Sequence, residues 1–149
     1  MRVVLDTTYF LPAVGISVKE ISTEDVLSSL SKTSDPALCQ ITIFELCAKA
    51  AKYVAEGKLE TRRAHRGIQA VIEDDSIKKL DPYESGTLSV AIKLREMLGD
   101  FIDCLILATA ISQADVLLTE DRSIHDLRHQ SVFRELVKSE NPDFEIRKI

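Results

Sequence analysis

Short apolar runs recur along the chain, each bounded by charged or turn-forming residues. The runs VVL at 3–5, ALCQI at 37–41 and DVLLT at 115–119 have the length and composition of buried strands. The run SIKKL at 76–80 carries two lysines, which discourage further pairing, and is predicted to be an edge strand. FEIRKI at 144–149 alternates apolar and polar residues, which predicts a last strand at the sheet edge.

Longer segments with helical periodicity separate these runs. Residues 102–114 are apolar on nearly every side, which predicts a helix packed between the sheet and its neighbours, with Asp100 as its N-cap. Thr42 is expected to cap a helix that Gly57 ends, and Asp81 to cap another. The predicted helices cover residues 22–32, 42–56, 58–74, 81–98, 102–114 and 131–138.

Some side chains on these helices are predicted to face the core. On the helix at 22–32, Val26, Leu27 and Leu30 form the apolar side. On the helix that follows Thr42, the apolar stripe recurs at i, i+3, i+4 and i+7 and includes Cys47.

The alternation of strands and helices predicts a three-layer α/β/α fold with a mostly parallel central sheet. The 149 residues, 45% of them hydrophobic, suffice for one domain spanning residues 1–149. No apolar run approaches the roughly 20 residues of a membrane span, and the first residues do not read as a signal peptide. Three cysteines in apolar surroundings, Cys39, Cys47 and Cys104, are expected to be buried thiols in a reducing cytoplasm.

Four acids lie where a strand ends or a helix begins, namely Asp6, Glu45, Asp103 and Asp121. Each has a local explanation as well. Asp6 could serve as an N-cap, and Asp103 could complement the dipole of its helix. Glu45 could complete a capping box with Thr42 and form an ion pair with Lys49.

Taken together, the four acids favour a shared site. In an open α/β sheet, ligands bind outside the carboxyl ends of the strands, and one topology brings all four side chains to that edge. Converging carboxylates raise one another's pKa unless a cation lies between them. Oxygen ligands without a His or Cys set suit Mg²⁺ or Mn²⁺.

The formal net charge of −5 gives no support for nucleic-acid binding by the chain as a whole. The segment 58–66 nevertheless holds a dense basic cluster, which is either a solvated helix face or a local anion-binding patch. Its members are Lys58, Arg62, Arg63, His65 and Arg66.

The sequence resembles the PIN-domain ribonucleases in four blocks that follow one another in order. These are VVLDTTYFL at 3–11, TIFEL at 42–46, DCLILATA at 103–110 and LLTEDRSI at 117–124. The resemblance implies an α/β/α nuclease fold in which Asp6, Glu45, Asp103 and Asp121 form a catalytic metal site for Mg²⁺ or Mn²⁺.

The same resemblance implies supporting hydroxyls from Thr8 or Thr119. The basic cluster makes the helix that carries Arg62, Arg63 and Arg66 the candidate for contacts with the RNA backbone. The resemblance implies hydrolysis of RNA phosphodiester bonds to products with a 5′-phosphate and a 3′-hydroxyl. Many small members are VapC-type toxins of toxin–antitoxin pairs, so an antitoxin partner and a homodimer are also expected.

Other classes of protein fit the sequence less well. A phosphotransfer receiver needs two adjacent acids after its first strand, where this chain has only Asp6. A haloacid-dehalogenase phosphatase needs Asp-x-Asp, and Thr8 occupies the second acid position. A non-catalytic RNA-binding or scaffolding protein of the same fold stays open, although the complete set of four acids argues against it.

Overall fold

The computed structural model describes residues 1–33 and 35–149, which fold around one five-stranded sheet. The strands are β1 (Arg2–Leu5), β2 (Asp35–Cys39), β3 (Lys78–Leu80), β4 (Val116–Leu118) and β5 (Glu145–Arg147). The α-helices are α1 (Thr23–Lys32), α2 (Gln40–Ala55), α3 (Thr61–Glu73), α4 (Ser85–Leu94), α5 (Phe101–Gln113), α6 (Arg122–Asp126) and α7 (Ser131–Glu140). Two 3₁₀ helices cover Thr7–Val14 and Leu127–His129.

The sheet has the order β3-β2-β1-β4-β5, and all four strand pairs are parallel. Both predicted edge strands, β3 and β5, do lie at the edges. The central strand β1 pairs with β2 on one side and β4 on the other, so successive strands are added first towards one edge of the sheet and then, from β4 on, towards the other. Ligand sites in such sheets lie at the carboxyl ends of the strands that flank this reversal.

Two apolar cores lie on opposite faces of the sheet, as the alternation along β1 shows. Val4 belongs to the core formed with α4, α5 and α7, whereas Val3 and Leu5 belong to the core formed with α1, α2, α3 and the first 3₁₀ helix. Successive side chains of a strand point to opposite faces. The predicted three-layer α/β/α fold is therefore confirmed.

Close packing fixes α3 against the first 3₁₀ helix, which directly follows Asp6. A Cβ atom on Gly67 would lie 2.3 Å from the carbonyl oxygen of Ala13, so only glycine allows this approach. Arg63 strengthens the same contact, since its guanidinium donates to the carbonyl of Ala13 at 2.7 Å.

Two predicted helix starts are wrong. Helix α2 begins at Gln40, two residues before Thr42, so Thr42 is an interior residue whose buried hydroxyl lies 3.4 Å from that of Thr7. Helix α4 begins at Ser85 with Glu84 as N-cap. Asp81 instead accepts from the amide of Tyr83 at 2.7 Å in a local turn, which competes with helix formation.

Two side chains predicted to be buried are exposed. Leu27 is 60% exposed, because α1 packs through Val26 and Leu30 and leaves its other sides in solvent. Cys47 is also exposed, since α2 buries the narrow stripe of Thr42, Leu46 and Ala50. Cys39 and Cys104 are buried free thiols, as predicted.

Candidate active site

A cavity of about 420 Å³ opens at the carboxyl ends of β1 and β4, and all four predicted acids line it. Asp6 follows β1, Asp121 follows β4, Asp103 lies in the first turn of α5, and Glu45 lies in the second turn of α2. We refer to it as the carboxylate cavity. The described residues that line it are Asp6, Thr7, Thr8, Glu45, Lys49, Asp100, Asp103, Glu120 and Asp121.

Asp6 is the most deeply buried of these acids, with 6% of its surface exposed. Its Oδ1 accepts from the amide of Thr7 at 2.7 Å, and its Oδ2 accepts from the hydroxyl of Thr119 at 2.7 Å. Burial raises the pKa of Asp6 above its usual value, although both hydrogen bonds act in the opposite direction. The carboxylate is therefore held in one orientation, but its charged form is destabilised by the loss of solvent.

Thr119 connects two of the acids. Its hydroxyl donates to Asp6 and accepts from the amide of Asp121 at 3.1 Å. Asp121 in turn caps α6, because its Oδ1 accepts from the amide of Ile124 at 3.1 Å. The resemblance suggested a hydroxyl from Thr8 or Thr119. Thr8 lines the carboxylate cavity, whereas Thr119 is fully buried behind it and positions Asp6 and Asp121.

Asp103 has the most perturbed acid–base equilibrium in the carboxylate cavity. Burial raises its pKa to about 7, and repulsion from Asp6, Asp100, Asp121 and Glu45 adds to the effect. Its two protonation states are thus close in free energy near neutral pH. A carboxyl group in this condition gains stability when a cation enters beside it.

Glu45 reaches the carboxylate cavity because the predicted capping box does not form. The helix already begins at Gln40, so Glu45 is free to turn inward and accept from the hydroxyl of Thr7 at 2.5 Å. The predicted ion pair with Lys49 is present, with 3.3 Å between Nζ and Oε1. Unlike Asp103, Glu45 therefore has both a hydrogen-bond donor and a cation beside it.

Four lining residues were missed as site residues by sequence reasoning. Asp100 looked like a simple cap, and its Oδ1 does accept from the amide of Ile102 at 2.8 Å. Glu120 precedes Asp121 and accepts from the hydroxyl of Tyr9 at 2.8 Å, with Lys148 at 3.9 Å. Thr7 and Lys49 both contact Glu45, the first by a hydrogen bond and the second by an ion pair. The one signal in the sequence that could have indicated these residues is that each lies within four positions of a predicted acid.

The potential metal ligands that face the carboxylate cavity are carboxylate and hydroxyl oxygens. Among the residues that the structure describes, no His or Cys lines it. This chemistry fits a hard cation such as Mg²⁺ or Mn²⁺, which keeps several water ligands and needs few carboxylates. Within residues 1–33 and 35–149, however, no three acidic, His or Cys side chains converge tightly enough to form a complete metal cage.

The predicted basic cluster lies outside the lining of the carboxylate cavity. Four of its members are on α3, whereas Lys58 precedes that helix and forms an ion pair with Glu56 at 2.8 Å. Arg62 and Arg66 are exposed, whereas the guanidinium of Arg63 is bound to the carbonyls of Ala13 and Pro12. Arg63 thus has a structural contact that the sequence did not indicate. Arg62 and Arg66 stay available for a ligand.

A second hollow of about 430 Å³ lies between α7 and β5 and has different chemistry. Phe133, Phe144 and Ile146 form an apolar floor. Among the described residues that line it, Glu145 is the one carboxylate, and it forms an ion pair with Arg147 at 2.6 Å. The carboxylate cavity, with its group of facing acids, is therefore the better candidate for a reaction site.

Comparison with known proteins identifies the family and the fold of the chain. A family profile described as the PIN domain matches residues 3–130. Among solved structures, the chain is similar to the crystal structure of VapBC2 from Rickettsia felis bound to a DNA fragment from their promoter. The TM-score is 0.61 at 19% identity, with 99% of this chain and 98% of that chain covered. A search of curated proteins gave no match.

In the part of the chain that the structure describes, no helix is both long and apolar enough to cross a membrane.

Proposed function

Because the chain belongs to the PIN-domain family, whose members are generally nucleases, we propose that it is a metal-dependent endoribonuclease. The observation that carries the proposal is the carboxylate cavity, in which Asp6, Glu45, Asp103 and Asp121 meet from four separate parts of the chain. The reaction is hydrolysis of an RNA phosphodiester bond.

In this proposal Asp6, Asp103 and Asp121 hold Mg²⁺ or Mn²⁺ directly or through water, and Glu45 holds a second ion or orients the attacking water. The ion, when bound, activates water and stabilises charge on the phosphate and the leaving oxygen. Thr119 keeps Asp6 in place through its 2.7 Å hydrogen bond. Thr7 does the same for Glu45, with 2.5 Å between the two oxygens.

The RNA strand needs cationic contacts outside the acidic cavity, and the exposed Arg62 and Arg66 on α3 are the proposed phosphate contacts. Replacing both with Ala should weaken RNA binding and make it less dependent on salt, because fewer counterions are released. Arg63 is a weaker candidate, since its guanidinium already binds Ala13 at 2.7 Å.

The function is tested by incubating labelled single-stranded RNA with the purified protein in Mg²⁺ or Mn²⁺, with EDTA as the negative control. Asp6→Asn should lower the cleavage rate by at least about 100-fold, because it removes a charged ligand while preserving shape. Asp143→Asn provides a matched control, since Asp143 is exposed and far from the lining residues in sequence.

Cleavage by Asp6→Asn at the wild-type rate, after identical purification, would refute the proposed site. RNA binding without cleavage in either metal would favour the non-catalytic alternative for this fold.

The proposal extends to protein partners. The similar solved structure is a VapBC2 complex, and we propose that this chain also acts as the toxin of a toxin–antitoxin pair and forms a homodimer. Exposed apolar side chains such as Phe44 and Ile92, at 61% and 64%, offer surface for such contacts. Light scattering should give about twice the chain mass; a value near 16.6 kDa at micromolar concentration would contradict the dimer.

A further inference from the structure

The carboxylate cavity has an unbalanced charge. Six carboxyl side chains line it, contributed by Asp6, Glu45, Asp100, Asp103, Glu120 and Asp121. Lys49 is the one cationic side chain among the described residues of the lining. A phosphodiester is itself an anion, so it is repelled by this surface unless cations face it. Lys148 lies outside the lining, 3.9 Å from Glu120, so Lys49 is the cationic side chain that a phosphate entering the carboxylate cavity meets directly.

The position of Lys49 suits contact with a ligand. It lies one helical turn after Glu45 on α2, and its side chain is 42% exposed while still lining the carboxylate cavity. The pair with Glu45 is long at 3.3 Å, and solvent reaches it from the side of Lys49, so it does not hold the ammonium tightly. An ammonium group has three N–H donors, and the contact with Glu45 engages one of them.

The neighbouring lysine on the same helix provides a contrast. Lys52 follows three residues later, is exposed, and is absent from the lining of the carboxylate cavity. The two side chains share charge, length and helix, and differ in whether they face the acids. Any effect of Lys49 that Lys52 does not reproduce therefore reports on the cavity.

We propose that Lys49 binds a non-bridging oxygen of the RNA phosphate that enters the carboxylate cavity. The contact is distinct from the proposed contacts of Arg62 and Arg66, because it holds the phosphate at the reaction site. Glu45 positions the ammonium through their ion pair, so the acid and the lysine of α2 act on the same phosphate. The inference rests on the proposed nuclease function.

The test is fluorescence anisotropy with fluorescein-labelled single-stranded RNA in Mg²⁺, from about 50 to about 300 mM KCl. The Asp103→Asn protein is used so that the RNA stays intact. Adding Lys49→Gln should weaken binding about 5- to 10-fold and reduce the slope of log K against log salt by about 0.7, the value for one phosphate contact on a single strand.

Two matched variants control the measurement. Lys49→Arg preserves the charge and should restore most of the affinity and the slope, whereas Lys52→Gln should leave both unchanged. In the cleaving protein, Lys49→Gln should raise KM about 5- to 10-fold with a smaller change in kcat. Circular dichroism of each variant verifies folding, and Lys49→Met, which also removes the charge, replaces Lys49→Gln if that variant folds poorly.

The proposal is overturned if Lys49→Gln changes the salt slope no more than Lys52→Gln does. It is also overturned if the only effect of Lys49→Gln is tighter Mg²⁺ binding, since Lys49 would then be just a counter-ion of Glu45. The outcome is separable from that of the proposed function. If the wild-type protein cleaves RNA but Lys49→Gln leaves the salt slope unaffected, only the Lys49 contact is refuted. If Lys49→Gln reduces the slope but the wild-type protein does not cleave RNA, the contact stands and the nuclease function is refuted.

Discussion

Helices α2 and α5 each bring one acid into the carboxylate cavity, but they give it opposite surroundings. Glu45 on α2 accepts from Thr7 at 2.5 Å and has the ammonium of Lys49 at 3.3 Å. The pKa of Asp103 on α5 is raised to about 7, first by burial and then by four neighbouring acids. Two carboxyl groups in one cavity therefore differ in whether the protein places a hydrogen-bond donor and a cation beside them.

The difference originates in the helices. Helix α5 is buried from Cys104 to Ile111, so it places Asp103 at the end of an apolar segment, and the charged neighbour on its own helix, Asp100, is another acid. Helix α2 is amphipathic, and its half-exposed side accommodates Lys49 one turn after Glu45. Burial thus leaves one acid without a cation of the protein beside it, and partial exposure lets the protein supply a cation to the other.

The largest expected effect concerns the response to metal. A bound ion stabilises the native state by about 2.7 kcal/mol at 100 times its Kd, which for a chain of this size raises the melting temperature by about 5–10 °C. Asp103→Asn should abolish most of this shift, and Glu45→Gln should reduce it only partly, because Lys49 already competes for Glu45. Differential scanning fluorimetry in Mg²⁺ and in EDTA measures both. If both variants lost the same share of the metal-induced rise in melting temperature, the proposed difference between Asp103 and Glu45 would be wrong.

A smaller effect concerns stability without metal, where the two substitutions should have opposite signs. Asp103→Asn removes an unfavourable charge and should stabilise the fold at pH 7.5 by about 1–2 kcal/mol, a value discounted because Asp103 is partly exposed. Glu45→Gln weakens the contacts to Thr7 and Lys49 and should destabilise it by about 0.5–1 kcal/mol. Urea unfolding in EDTA gives both free energies; destabilisation by Asp103→Asn would count against an uncompensated charge.

The smallest expected effect is in the pH dependence of that difference. An aspartate in the unfolded chain has its ordinary pKa of 3.8, so between about pH 4 and 7 Asp103 is deprotonated there, while the folded chain keeps its proton until about pH 7. The folded state then binds more protons, so raising the pH lowers the free energy of unfolding of the wild type relative to Asp103→Asn. Urea titrations at pH 5 and pH 7.5 compare the two proteins. A constant difference would indicate that Asp103 titrates normally.

Local pattern was sufficient to predict α5 and the sheet. An apolar run with Asp100 at its start can hardly form anything except a buried helix, and Asp100 does cap it through the amide of Ile102 at 2.8 Å. The short apolar runs likewise became parallel strands, and the two polar runs became edges. These features depend on residues that are close together in the sequence.

Contacts between distant residues were not predictable in this way. The sequence pattern of Thr42 and Glu45 matches a capping box, but Thr42 instead lies 3.4 Å from Thr7 across the interface with the first 3₁₀ helix. The same kind of contact explains why Glu120, held by Tyr9 at 2.8 Å, was missed. The pKa of Asp103 depends on burial and on acids far away in the chain, so composition and spacing could not give it.

The burial of α5 also determines how fast the site can change shape. Amide protons from Cys104 to Ile111 lie in the interior, so they are expected to exchange with solvent only when much of the fold opens. The amphipathic α2 has exposed residues in every turn and can open locally at a lower free energy. Asp103, which directly precedes this buried segment, is thus expected to move less than Glu45, and hydrogen exchange along the two helices measures the difference.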